Sequence, residues 1–226
     1  MMNFILKHWV KLSAVLGVAV LAFTLMTWSH WHYLQALALL NLAVIFFHFF
    51  EEFELPGGFP KFSNTLFAPK DSMLEIADHY PLNNMSALWI NWGTAIVMYL
   101  TPVFFPDVIW LGLIPMIFGG VAQLLVHGIA NNVMLKTWYN SGLFVVVFGH
   151  LPLMIAYILY IETHNLAVWT DYVIATVLMV VWYVGVIRVA IPTLWEDKNS
   201  PYSFTPEQMR KFDTLYPHMV EKANHR

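Results

Sequence analysis

His48, Glu51 and Glu52 stand at the end of an apolar run, Asn41 to Glu54, that reads Asn-Leu-Ala-Val-Ile-Phe-Phe-His-Phe-Phe-Glu-Glu-Phe-Glu. On a helix His48 and Glu52 sit one turn apart and share a face, with Glu51 on its flank and Asn41 in line with His48. An imidazole and a carboxylate at that spacing can hold one metal ion between them, as on the paired-ligand helix of the zincins. Ionisable groups in an apolar segment pair, bind a metal or line a wet cavity. The plainer alternative is that the three glutamates mark a water interface, and Glu54 reads that way.

The surrounding chain is 59% hydrophobic and only 11% charged over 226 residues. A soluble domain carries about 25% charged residues, so the composition describes an all-α integral membrane protein. No cysteine is present, which excludes thiol catalysis, disulfides and Cys-ligated zinc or iron–sulfur sites. Ten histidines remain for metal or acid–base work.

Six spans are expected, over about 8–28, 31–53, 84–104, 107–135, 140–161 and 168–191. Leu55-Pro-Gly-Gly-Phe-Pro60 must stop the second helix. Ser72 and Glu75, at capping-box spacing, predict a short interfacial helix in the linker that follows. Residues 1–194 form the membrane domain, and 195–226 an amphipathic tail with Thr205-Pro206 as a helix start. The lysines and arginines fall at the amino terminus, in the 55–83 linker, in the 135–140 turn, at the end of the sixth span and in the tail. The three opposite turns carry none, so both termini are expected in the cytoplasm of a plasma membrane. Trp9, Trp28, Trp110, Trp138 and Trp169 near span ends read as interfacial belts.

This topology puts polar residues of separate helices at one depth. His48, Asn91, His127 and His150 come out roughly 9–15 Å below the basic-side interface. Gln123 and Asn131 flank His127 by one turn, Asn84 lies below Asn91, and Asn140 opens the fifth span. Each has a plainer role. Gln123–His127–Asn131 could be interhelical hydrogen-bonding glue, His150 could cap carbonyls freed near Pro152, Asn91 could be packing, and Arg188 could snorkel to headgroups.

These residues resemble a bacterial membrane-protein family named for its H-x-x-E-E motif. His48-Phe-Phe-Glu51-Glu52 matches the motif, Leu55-Pro-Gly-Gly-Phe-Pro60 resembles the stretch that follows it, and Asn91, His127 and Tyr139-Asn140-Ser-Gly142 resemble later polar positions. Ser141 stands where the pattern has proline. The resemblance covers roughly Asn41 to Pro152. It implies a multi-span membrane protein able to bind metal and brings no established reaction.

From the residues, the leading expectation is a membrane metalloenzyme. His48, Glu52 and His127 are the metal ligands, which suits zinc ahead of iron. Glu51 is the general base, His150 a substrate-side group or fourth ligand, and Asn91 a catalytic amide. Asn41, Gln123, Asn131, Asn140 and Arg188 orient ligands or an anionic group. The expected reaction is hydrolysis of a lipid or other apolar substrate, with membrane lipid as surroundings and no nucleic-acid partner. A di-iron oxidase or hydroxylase, and a non-enzymatic metal-binding, proton-binding or structural protein, are the alternatives.

Overall fold

The computed structural model describes residues 2–67, 74–186, 189 and 196–219. Among them the chain is helical, without strands. Five helices are long and apolar enough to cross a membrane. They are α1 (Met2–Met26), α2 (Tyr33–Phe53), α4 (Asn84–Phe104), α5 (Ile109–Leu135) and α6 (Leu143–Thr163). Between α2 and α4 lies the one-turn helix α3 (Phe59–Phe62). After α6 come α7 (Trp169–Val184), at 16 residues shorter than the expected sixth span, and the polar helix α8 (Pro206–Leu215). Arg188 and Ser72, with the linker helix start assigned to it, lie outside the described residues. The described part of that segment is a single turn, Leu74–Ile76.

The mean hydropathy of α2 resembles that of its neighbours, but α2 is the central helix. Of its best 18-residue window 67% is buried, against 28% for α1 and for α6. A helix apolar all round belongs inside a bundle, and α2 packs against α1, α4, α5 and α6. Trp9 anchors α1. It is 1% exposed, and its indole N–H donates to Asn84 Oδ1 at 2.8 Å while Asn84 Nδ2 donates to the Leu6 carbonyl. Trp9 is therefore a buried tie between α1 and α4 rather than part of an interfacial belt. A buried indole needs an acceptor, and Asn84 supplies it. Trp138 and Trp169, at 95% and 75% exposed, keep the outward positions expected of them.

Helices α4, α5 and α6 are not regular throughout. Ala95–Leu100 in α4, Phe118–Ala122 and Leu124–Asn131 in α5, and Val146–His150 in α6 are wound as π-helix. Such wide turns, bonded five residues back, are rare and gather at functional sites.

The linker and tail close the basic end. Leu55-Pro-Gly-Gly ends α2 as expected, and Pro60 then sits in the first turn of α3. Asn64, fully buried, donates to the Ala77 and Leu82 carbonyls and accepts from the Leu82 N–H, so one side chain holds both ends of the linker. Thr205 caps α8 with Gln208 answering, as the sequence predicts. Phe212 and Tyr216 pack on Phe62 and Leu135. Lys61 bridges to Asp213, and Lys211 to Glu54.

Candidate metal centre

Glu52 lies where three helices meet. Its Oε1 is 3.7 Å from His48 Nε2 and 3.3 Å from His127 Nε2. The ligand atoms of all three residues lie within 4.8 Å of one another. Donors about 2.1 Å from one tetrahedral zinc are about 3.4 Å apart, so the three atoms are spaced as ligands of one ion. His48 and His127 are each 1% exposed and Glu52 7%. Their rings stand nearly perpendicular, with centres 5.0 Å apart.

The proton on His127 is placed by its neighbours. Asn140 Nδ2 donates to the His127 carbonyl at 2.6 Å and to Asn132 Oδ1 at 2.7 Å, which fixes the orientation of the amide. Its Oδ1, 2.8 Å from His127 Nδ1, can only accept, so Nδ1 carries the hydrogen. Nε2 then faces Glu52, presenting a lone pair when the ring is neutral. An outer hydrogen bond of this kind is how metal-binding histidines are held. Asn131 Nδ2 is 3.4 Å from the same Nδ1, and its Oδ1 has no partner. For His48 no well-formed hydrogen bond closes to either ring nitrogen.

Gly142 explains how the two rings approach the turn before α6. Its φ is +103°, a conformation natural to glycine. A Cβ there would strike the His127 ring and come within 2.9 Å of His48 Cε1.

Glu51 does not point into this cluster. Its Oε1 accepts from the Tyr139 hydroxyl at 2.8 Å and from the Phe144 N–H at 3.1 Å, and its Oε2 accepts from the Val145 N–H at 2.8 Å. It is a long-range cap for α6, binding two of the orphan donors of that helix's first turn. Burial, and then the bond to Glu51, push the Tyr139 hydroxyl up from its ordinary pKa, so it remains a donor. The position of Glu51 one residue before a ligand suggested a base; the structure gives its oxygens to backbone N–H groups.

His150 reaches the cluster from α6, its ring centre 5.8 Å from that of His48. Asn41 Oδ1 is 2.7 Å from His150 Nδ1. Asn91 stays apart, its amide donating to the Ala87 carbonyl of its own helix. Gln123 is half-buried on α5 and makes no hydrogen bond to the cluster. A small cavity below the centre is lined by Gly57, Gly58, Asn131, Asn140, Ser141 and Tyr216, among others.

A family described as "Protein of unknown function with HXXEE motif" matches residues 39–157, more than half of the chain. The chain belongs to this HXXEE family. In this HXXEE protein the motif's His48 and second glutamate are the paired ligand candidates, and its first glutamate is the helix cap. The matched segment carries Asn41, His127, Asn140 and His150 as well, and leaves out α8. Neither a curated protein nor a solved structure matches this HXXEE protein.

Two participants were not evident in the sequence. Tyr99, 1% exposed, lies against His150 in a half of the bundle that reads as apolar. Tyr139 bears on the site only through Glu51. It stands in the Tyr139-Asn140-Ser-Gly142 stretch that carries the family resemblance, but nothing there told its role.

Proposed function

We propose that this protein is a membrane-embedded metalloenzyme that hydrolyses a lipid or other apolar substrate near the basic, cytoplasmic face. His48, Glu52 and His127 hold one divalent cation, zinc ahead of iron. A sixth span, of which α7 is the described part, and two cytoplasmic termini belong to this reading. The observation that carries the reading is the contact between Glu52 Oε1 and His127 Nε2. A carboxylate oxygen and an imidazole nitrogen 3.3 Å apart are joined by a cation between them, either a metal ion or a second ring proton, and elemental analysis distinguishes the two.

A divalent ion bound there supplies Lewis acidity that activates water near neutral pH. The residues do the rest. Asn140 holds the His127 tautomer, Glu52 provides the negative charge, and His150, with Nδ1 held by Asn41, offers Nε2 as proton acceptor. Glu51 acts as a positioning residue. The two-metal alternative finds less support, because its second bridging carboxylate would be Glu51, whose oxygens already accept three hydrogen bonds.

A second reading, a structural metal centre clamping α2 and α5, is favoured by the same use of Glu51. Elemental analysis of purified wild type and His48→Ala, with release of labelled fatty acid from ester substrates, separates them. One equivalent of metal in wild type, none in the variant, and hydrolysis lost with the metal support the enzyme. Metal without hydrolysis leaves the clamp. No metal in wild type refutes both.

A further inference from the structure

Two buried polar atoms near the centre lack a partner, one of them, the Tyr99 hydroxyl, without any role in this reading. His150 Nε2 and the Tyr99 hydroxyl have no hydrogen-bond partner, and both residues are 1% exposed. Their ring centres are 5.8 Å apart, and His150 is the same distance from His48. An unsatisfied buried polar atom is costly, and two in adjoining side chains each need explaining.

The His150 ring is built into place. Asn41 Nδ2 is turned to Met116 Sδ at 3.4 Å, which leaves Asn41 Oδ1 for His150 Nδ1. Nδ1 therefore carries the hydrogen, and Nε2 presents a lone pair. Gly119 closes the back of the ring. A Cβ at Gly119 would sit 2.5 Å from His150 Nδ1 and 2.7 Å from Cγ, so only glycine admits the ring there. Both unpartnered residues sit in wide turns, Tyr99 in that of α4 and His150 at the end of that of α6.

We infer that His150 and Tyr99 form a binding subsite beside the metal centre that takes a neutral hydroxyl group, of water or of an alcohol, and rejects a carboxylate. His150 Nε2 can only accept, whereas the tyrosine hydroxyl can donate and accept. A hydroxyl group placed between them would donate to Nε2 and accept from Tyr99. A carboxylate brings no hydrogen for Nε2 and sets lone pair against lone pair. The subsite takes its chemical meaning from the proposed metalloenzyme, but its histidine is held by Asn41 and Gly119 without any ion.

The test uses full-length protein with isotope-labelled histidine in lipid nanodiscs, metal-free and zinc-loaded. Trifluoroethanol and trifluoroacetate, similar in size and opposite in kind, are titrated while the histidine ring nitrogens are followed by NMR. The resonance that disappears in His150→Gln is assigned to His150. Should that variant fail to fold, its perturbation in Tyr99→Phe assigns it. The alcohol should move the Nε2 signal and the anion leave it in place. Tyr99→Phe, which keeps the ring, should weaken the alcohol titration about three- to tenfold, the worth of one neutral hydrogen bond. An equal response to the anion, no response to the alcohol, or an unchanged titration in Tyr99→Phe overturns the subsite. So does zinc shifting His150 Nε2 as it shifts His48, which would make it a ligand. Zinc leaving His48 and His127 unmoved would end the metal reading alone, because the metal-free titration still decides the subsite.

Discussion

Glu51→Gln separates a cap from a base. A general base is replaced with little effect on stability; a carboxylate serving as the N-cap of another helix is not. Glu51 accepts three hydrogen bonds, from Tyr139, Phe144 and Val145. A glutamine keeps one carbonyl oxygen. It can retain one N–H bond, and Tyr139 can turn round to accept from the new NH2. The remaining N–H is then left facing a donor, at about 1–3 kcal/mol. Loss of the negative charge from the helix amino terminus adds about 0.5–1 kcal/mol. The expected destabilisation is about 2–4 kcal/mol, or about 5–15 °C in Tm for a chain of this size. Thermal unfolding in detergent measures it, with zinc content read on the same samples. Tyr139→Phe, which removes one bond and orphans no N–H, should lose about 1 kcal/mol. Glu51→Gln with wild-type Tm and normal zinc, but without hydrolysis, would refute the cap and restore the base.

Glu52→Gln should lower bound zinc far more than Glu51→Gln does, measured by elemental analysis after dialysis against a chelator. Asn140→Ala frees the His127 tautomer and should weaken zinc by about 10–100-fold in chelator competition; an unchanged affinity would show that the amide does not orient the ring. Gly142→Ala places a methyl group against the His127 and His48 rings at a positive φ, so folded protein should retain little zinc. Reporter fusions after Pro106 and after Arg226 should read external and cytoplasmic respectively; a cytoplasmic signal at Pro106 would remove the six-span topology.

The pairing of His48 with Glu52 was legible from spacing alone, because a helix fixes which side chains share a face. That His127 joins them was legible from depth, since equal distances from a common interface bring neighbouring helices level. Asn41 and Asn140 were readable as orienting residues, although not which histidine each holds. Asn41 serves His150 rather than His48, its neighbour in sequence. The direction taken by Glu51 was not legible. It lies on the flank of the ligand face, and only the arrival of α6 beside α2 decides what meets it. Tyr99 looked like one more aromatic residue in an apolar span, because nothing in a sequence reports that a hydroxyl lacks a partner. Trp9 resembled a belt residue for want of knowing that Asn84 stood opposite.

The wide turns in α4, α5 and α6 have a consequence for how this chain can change. A regular helix turns by about 100° with each residue, so one residue added or removed re-aims everything beyond it. Deleting a single apolar residue from Leu124–Asn131 would leave α5 as hydrophobic as before and long enough to cross a bilayer. It would also let the helix relax to regular winding and swing His127 away from Glu52. Most replacements on the exposed side of these helices would leave the centre in place. Helix length in residues is therefore constrained in α5 more tightly than composition, and a one-residue gap just before His127 would disturb the site more than many substitutions.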